Sequence, residues 1–246
     1  MTGISLASHV GIELSPVACR IVEIAGERDL PDRSVAAYAT VPRTSPATVA
    51  RLSLLRGRHA TVVVWGSTTD HRVVAVAPGS YERMRAEARA ASRKSGGHSW
   101  QTLTDIAPVP ETGQGIVGRR PVVMASAAAD EVAALLRPIV AAGIKIDCVL
   151  TPAAALLSLA RARRTISPAG ALEAYVAIDE SVVSIALIRD QALVAATDDA
   201  WGYVESRAGC SVVRSREDVA RRLEAALTAV LAGCGVDRSE IGRAHV

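Results

Sequence analysis

Phenylalanine is absent from these 246 residues, and tryptophan and tyrosine together make up only 3% of them. That scarcity excludes the aromatic platforms on which single-stranded nucleic acids stack. Lysine is almost missing as well: Lys94 and Lys145 are the only two, so the basic side of the chain is arginine. The 28 basic residues face 25 acidic ones, for a net charge of +3, and no long block of one sign occurs. A nucleic-acid footprint is excluded on that ground. The four cysteines, Cys19, Cys148, Cys210 and Cys234, stand far apart without a C-x-x-C pair. That spacing excludes a zinc knuckle and predicts buried free thiols in a reducing compartment. No apolar run reaches the roughly 18 to 20 residues that cross a bilayer, and the N-terminus lacks a charged segment leading into an apolar one. The pattern predicts a cytoplasmic protein, one that can still dock on a membrane protein.

Half of the chain is hydrophobic, enough to bury a substantial core. Apolar, β-branched runs at His9–Leu14, Val17–Ile24 and Ser34–Val41 predict a meander of three antiparallel strands. A second, tighter meander is predicted at Ala174–Asp179, Val182–Ile188 and Ala192–Thr197, with a turn at Arg189–Gln191. Between them the pattern predicts strands at Thr61–Trp65, Arg72–Val76, Val122–Ser126 and Lys145–Leu150. It predicts helices at Tyr81–Arg93, after Ser126 with a bend at Pro138 and a stop at Gly143, and from Pro152 to about Arg163. Ser215 with Asp218 resembles a capping box, opening a helix with Val219, Leu223, Ala226, Leu227 and Val230 on one face. Two meanders in one chain predict duplicated α/β lobes, a first over residues 1–167 with an inserted part at about 78–150, and a second over 168–246. No closing strand is expected after the last helix, so the second lobe reads as incomplete.

The two meanders share a pattern. Ile12-Glu13-Leu14-Ser15-Pro16-Val17 and Ile178-Asp179-Glu180-Ser181-Val182-Val183 both read Ile, acid, any residue, Ser, any residue, Val. An acid at the bend of a β-hairpin can hold a hydrated magnesium ion while the bend's amides point at phosphate oxygens. Small residues are needed there, because phosphate must approach the main chain closely. Plain turn-forming polar residues at strand ends are the competing explanation.

The stretch Val10-Gly11-Ile12-Glu13-Leu14-Ser15-Pro16-Val17-Ala18-Cys19-Arg20-Ile21-Val22-Glu23-Ile24 resembles the first phosphate hairpin of the actin-like ATPase superfamily. Within that superfamily it is most similar to the type IV pilus assembly family PilM, which opens with Gly-Ile-Asp-Ile-Gly, small residues, a base and Val-Glu-Leu. Val122–Ala125, Ala141–Ile144 and Asp147–Leu156 resemble the family's insertion subdomain and its entry into the next helix, and Val176–Ser181 its second phosphate hairpin. The resemblance implies a ribonuclease H-like, two-lobed actin fold with ATP and magnesium in the cleft. It places Glu13 and Asp179 on the metal-holding acids, Ser15 and Ser181 on the bend glycines, and Arg20 on the base. It also implies a partner: a cytoplasmic segment of a PilN-like membrane protein, or of a GspL-type secretion protein. The protein would then lie on the inner membrane through that partner, with homo-oligomerisation left open. Ser15 and Ser181 replace glycines, and Pro16 removes an amide donor, so affinity for phosphate should suffer. A scaffold is thus expected, with no catalytic residue assigned. The rival is an ATPase or sugar-kinase-like phosphotransferase, which needs a catalytic acid that the sequence does not supply.

Two other signals are read as structure. Gly113–Gly118 matches G-x-G-x-x-G but lacks the strand before and the helix after, and so predicts a loop. Ser67, Asp70 and His71 are adjacent without a G-x-S-x-G elbow and predict polar turn residues between two strands.

Overall fold

The computed structural model describes residues 9–25, 34–65, 69–94, 102–109, 118–163, 168–236 and 241–245. Its residues gather into two compact units, one of residues 1–65 with 132–151 and one of 66–131 with 152–246.

The first unit is built on a five-stranded sheet. β1 (His9–Leu14), β2 (Ala18–Ala25) and β3 (Ser34–Pro42) form the expected antiparallel meander. β4 (His59–Val64) runs parallel to β1, and β8 (Lys145–Leu150) parallel to β4, giving the order β3-β2-β1-β4-β8. Lys145–Leu150, expected inside the inserted part, is therefore an edge of this sheet, because its backbone bonds are satisfied by β4. Period-two alternation sends Val10, Ile12 and Leu14 into the core with Ile21, Leu52, Val62 and Ile139. On the opposite face a Cβ at Gly11 would lie 2.8 Å from Val22 Cγ1, so glycine lets the cross-strand valine close over β1. The sequence reading missed α1 (Pro46–Ser53), although Ser45 caps it by accepting the Thr48 amide and Pro46 begins its first turn.

The second unit contains two sheets. β5 (Asp70–Val76), β6 (Thr102–Pro108) and β7 (Arg120–Ala128) are antiparallel in the order β5-β7-β6. α2 (Tyr81–Lys94) covers them through Met84 and Ala88, packed against Val76, Ile106, Val122 and Met124. The other sheet is the second meander, β9 (Leu172–Ile178), β10 (Val183–Arg189) and β11 (Ala192–Asp199). α4 (Pro152–Arg163) packs Ala153, Leu157 and Ala160 against Tyr175, Ala186 and Ile188 on one face. α5 (Arg216–Cys234) packs Leu231, Leu227 and Leu223 against Leu172, Val176 and Ile185 on the other. Being covered on both faces, β10 is buried without a break from Val183 to Ile188 rather than alternately. Asp190 and Gln191, both at positive φ, make the two-residue turn between β10 and β11.

Two expectations are corrected. Ile241–His245 forms a strand parallel to β9, so the second sheet does gain a fourth strand where none was expected. Its short apolar signal after a polar stretch hid it. Cys148 and Cys210 are exposed, and only Cys19 is fully buried, so the forecast of buried thiols holds for one residue and partly for Cys234. α3 (Ala129–Ala141) carries Pro138 in its last turn, and Gly143 at positive φ follows its end, as the pattern predicts.

Candidate functional site

Glu13 lies within β1, not at the bend, and its register partner across the hairpin is Arg20. Their side chains form an ion pair, Arg20 Nη1 to Glu13 Oε1, at 2.5 Å. Both border a crevice of about 280 Å³ on the sheet face opposite the core, with Gly11, Val22, Tyr38 and Val63. Beside them burial, reinforced by the Glu13 charge, pushes the Cys19 thiol up to about 11, which leaves it inert at neutral pH.

The bend itself is Ser15–Ala18, and it is closed from within. Ser15 is fully buried. Its amide donates to Ala18 O at 2.9 Å, and the Ala18 amide donates back to Ser15 Oγ at 3.0 Å. Arg43, just past β3, clamps the outside: its amide donates to Val17 O at 2.9 Å and its Nη1 to Ser15 O at 3.3 Å. Sequence reasoning overlooked Arg43, which sits far along the chain and carries no motif.

The second bend is organised differently. β9 ends at Ile178, so Asp179 is the first residue of the turn, its amide donating to Val182 O at 2.8 Å. Asp179 is 2% exposed and Ser181 half-buried. Behind the bend the Tyr203 amide donates to Asp179 O at 3.1 Å, and that of Val204 to Glu180 O at 2.9 Å. Gly202 permits this approach, because a Cβ there would lie 2.0 Å from Asp179 O. Arg214 holds the backing segment, Gly202 to Glu205, in place, donating Nε to Gly202 O at 3.1 Å and pairing through Nη1 with Glu205 and Asp218. Gly202 is a further position that the sequence reading missed; an isolated glycine after a strand was its signal.

The structure thus brings Glu13, Arg20 and Ser15 together around one hairpin, and Asp179 and Ser181 on another. ATP with magnesium does not fit the first of these. Two of the four bend residues have spent their amides inside the loop, and Pro16 has none, so the concavity of N–H groups that a phosphate requires is missing. Glu13 is engaged by Arg20, and Asp179 is too enclosed for a hydrated magnesium ion, which keeps several waters. Among the described residues no group of three or more His, Cys, Asp or Glu could hold a metal ion.

Asp70 and His71, expected in a turn, lie in β5; Ser67 and Gly113–Val117 fall outside the described residues. No helix follows Gly118, which leads into β7. His71 Nδ1 stands 3.8 Å from Asp198 Oδ2 on β11, both side chains 1% exposed. Burial pushes His71 down to about 4, against the pull of Asp70. Burial likewise pushes Asp198 up to about 6, with the Ser184 hydroxyl opposing and Asp199 adding to it. None of the expected site residues lines the 480 Å³ crevice near His71, which runs between β5, β11 and α5.

No protein-family model and no curated protein sequence matches the chain. Solved structures do. A chain of the PilM–PilN type IV pilus biogenesis complex aligns over 92% of this protein and 67% of its own length, with a TM-score of 0.64 at 18% identity. The cytoplasmic domain of EpsL, an inner-membrane component of the type II secretion system of Vibrio cholerae, aligns over 78% and 71%, with a TM-score of 0.53 at 15% identity. The chain has the actin-like fold. A Bacteroides thetaiotaomicron protein with an actin-like ATPase fold is also similar, at a TM-score of 0.48 and 8% identity. Among the described residues of this actin-like chain, no helix is long and apolar enough to cross a membrane.

Proposed function

We propose that this chain is a non-catalytic, actin-like scaffold of a bacterial envelope machine of the pilus or secretion type. It works by binding the cytoplasmic segment of a membrane protein, and so sits in the cytoplasm against the inner membrane through that partner. The observation that carries this reading is the alignment over 92% of the chain with a structure whose name pairs PilM with PilN. The EpsL domain, from a second envelope system, supports the same class of role. The rival reading, an ATPase or sugar-kinase-like phosphotransferase, is disfavoured by the self-closed first bend, which leaves a transferred phosphoryl group without its donors.

The test is calorimetric titration with synthetic peptides covering the cytoplasmic ends of the inner-membrane proteins encoded beside it. One peptide binding in the micromolar range is expected. Failure of every such peptide to bind, together with turnover of Mg-ATP, would replace the scaffold with the enzyme.

A further inference from the structure

The first hairpin carries a consequence for how docking is regulated. In a bend that grips phosphate, several amides stay unpaired until the ligand's oxygens accept them. Here the Ala18 amide already has an oxygen acceptor, the hydroxyl of Ser15, three residues back at 3.0 Å. We infer that Ser15 occupies the position of a ligand oxygen, so that the bend is permanently in its closed, satisfied form and the chain does not take ATP. Whatever docks on the protein therefore docks without nucleotide control. This rests on the scaffold reading for its docking half, but the closed bend stands on its own geometry.

Four interactions would have to break for phosphate to enter: Ser15 N to Ala18 O, Ala18 N to Ser15 Oγ, Arg43 N to Val17 O and Arg43 Nη1 to Ser15 O. Two of them come from Arg43, 25 residues or more along the chain, so opening the loop also loosens the end of β3. Pro16 offers no amide to compensate. The side chain of Ser15 is buried, which means the closure is packed into the core rather than lying on the surface. Glu13 completes the substitution: Arg20 supplies its counter-charge at 2.5 Å, where a nucleotide site would leave that carboxylate for a hydrated cation.

Two measurements on the full chain test this. The first is the melting temperature with magnesium alone and with millimolar Mg-ATP. A ligand at a hundred times its Kd raises the melting temperature by several degrees, so an unchanged value is expected and a saturable rise overturns the inference. The second is hydrogen exchange at the Ala18 amide. It should be protected in the native chain, unaffected by Mg-ATP, and about tenfold faster in Ser15→Ala, a rise larger than any the remaining β1–β2 amides share. An unprotected Ala18 amide in the native chain, or protection that Mg-ATP increases, overturns it. Both readouts need no partner. If no membrane segment binds while both come out as expected, the scaffold reading falls and the closed bend survives. A Mg-ATP response with a bound peptide gives the reverse.

Discussion

The two hairpins begin from one six-residue pattern and end as different objects. In the first, Ile12 and Glu13 both lie in β1, and the turn is Ser15–Ala18. In the second, the strand stops at Ile178 and the turn is Asp179–Val182. Relative to the repeated pattern the second chain reversal comes two residues sooner, so the residue that structurally matches Asp179 is Ser15, not Glu13. The pairings Leu14 with Cys19 and Ile178 with Val183 show the shift directly. Strand register is set by which side chains must face the core, and the core claims Leu14 in one hairpin but admits Asp179 into the turn of the other. A shared motif therefore does not guarantee shared geometry. The first bend satisfies its own donors and is clamped by a distant arginine. The second is supported from behind by the segment Gly202–Val204, whose glycine presses on its carbonyls.

The sharpest way to test that contrast is Gly202→Ala. The new Cβ would meet Asp179 O at 2.0 Å and Glu180 O at 2.5 Å, atoms of a backbone that cannot swing aside. A loss of about 3 kcal/mol or more is expected by urea denaturation, the cost of overpacking at a rigid site. A loss below about 1 kcal/mol would show that the second bend yields like a surface loop.

The second meander also differs from the first in carrying a buried acid on its third strand, where β3 has no charged residue. Asp198 is raised from 3.8 to about 6, so its stabilising contribution is complete below about pH 3.8 and is lost as pH rises through about 6. Native protein should therefore lose about 2 to 3 kcal/mol relative to Asp198→Asn between pH 4 and pH 8. His71, lowered from 6.5 to about 4, acts in the opposite sense: its contribution is complete above 6.5 and is lost as pH falls toward 4. Because His71 stands 3.8 Å from Asp198, the difference between the two pH profiles reports Asp198 together with its coupling to His71. Parallel profiles would contradict its burial.

Sequence patterning reached both meanders, the Ser215 cap of α5 and the stop of α3 at Gly143 because each rests on local rules, alternation, capping and the left-handed freedom of glycine. It found the site residues as a motif and not as a geometry. Arg43 and Gly202 act on bends 28 and 23 residues away in the chain, through Ser15 and Asp179; Arg43 leaves no local trace, and Gly202 leaves only an isolated glycine after a strand. His71 looked like a turn residue because its neighbours Asp70 and Arg72 are polar, yet all three stand in β5 and only the packing against β11 buries its ring.

At the first bend, Ser15→Ala strands a buried amide and should cost about 1 to 2 kcal/mol in thermal or urea denaturation. If the loss were negligible, the loop would have another acceptor for Ala18 and the closure would not depend on serine. Smallest of all is the Glu13–Arg20 pair, whose side chains are about a quarter to a third exposed. A double-mutant cycle with Glu13→Gln and Arg20→Gln should give a coupling below about 1 kcal/mol. A larger value would mean the first hairpin is held by charge rather than by its hydroxyl.

By itself the sequence determined the two meanders, the helices α2 to α5 and the Ser215 cap, since hydrophobic period and turn chemistry are properties of neighbouring residues. Tertiary structure alone decided that one bend is sealed and the other braced. A hydrogen bond's worth depends on which groups compete for it in space, and no spacing along the chain shows that Ser15 and Arg43 win that competition at Ala18 and Val17.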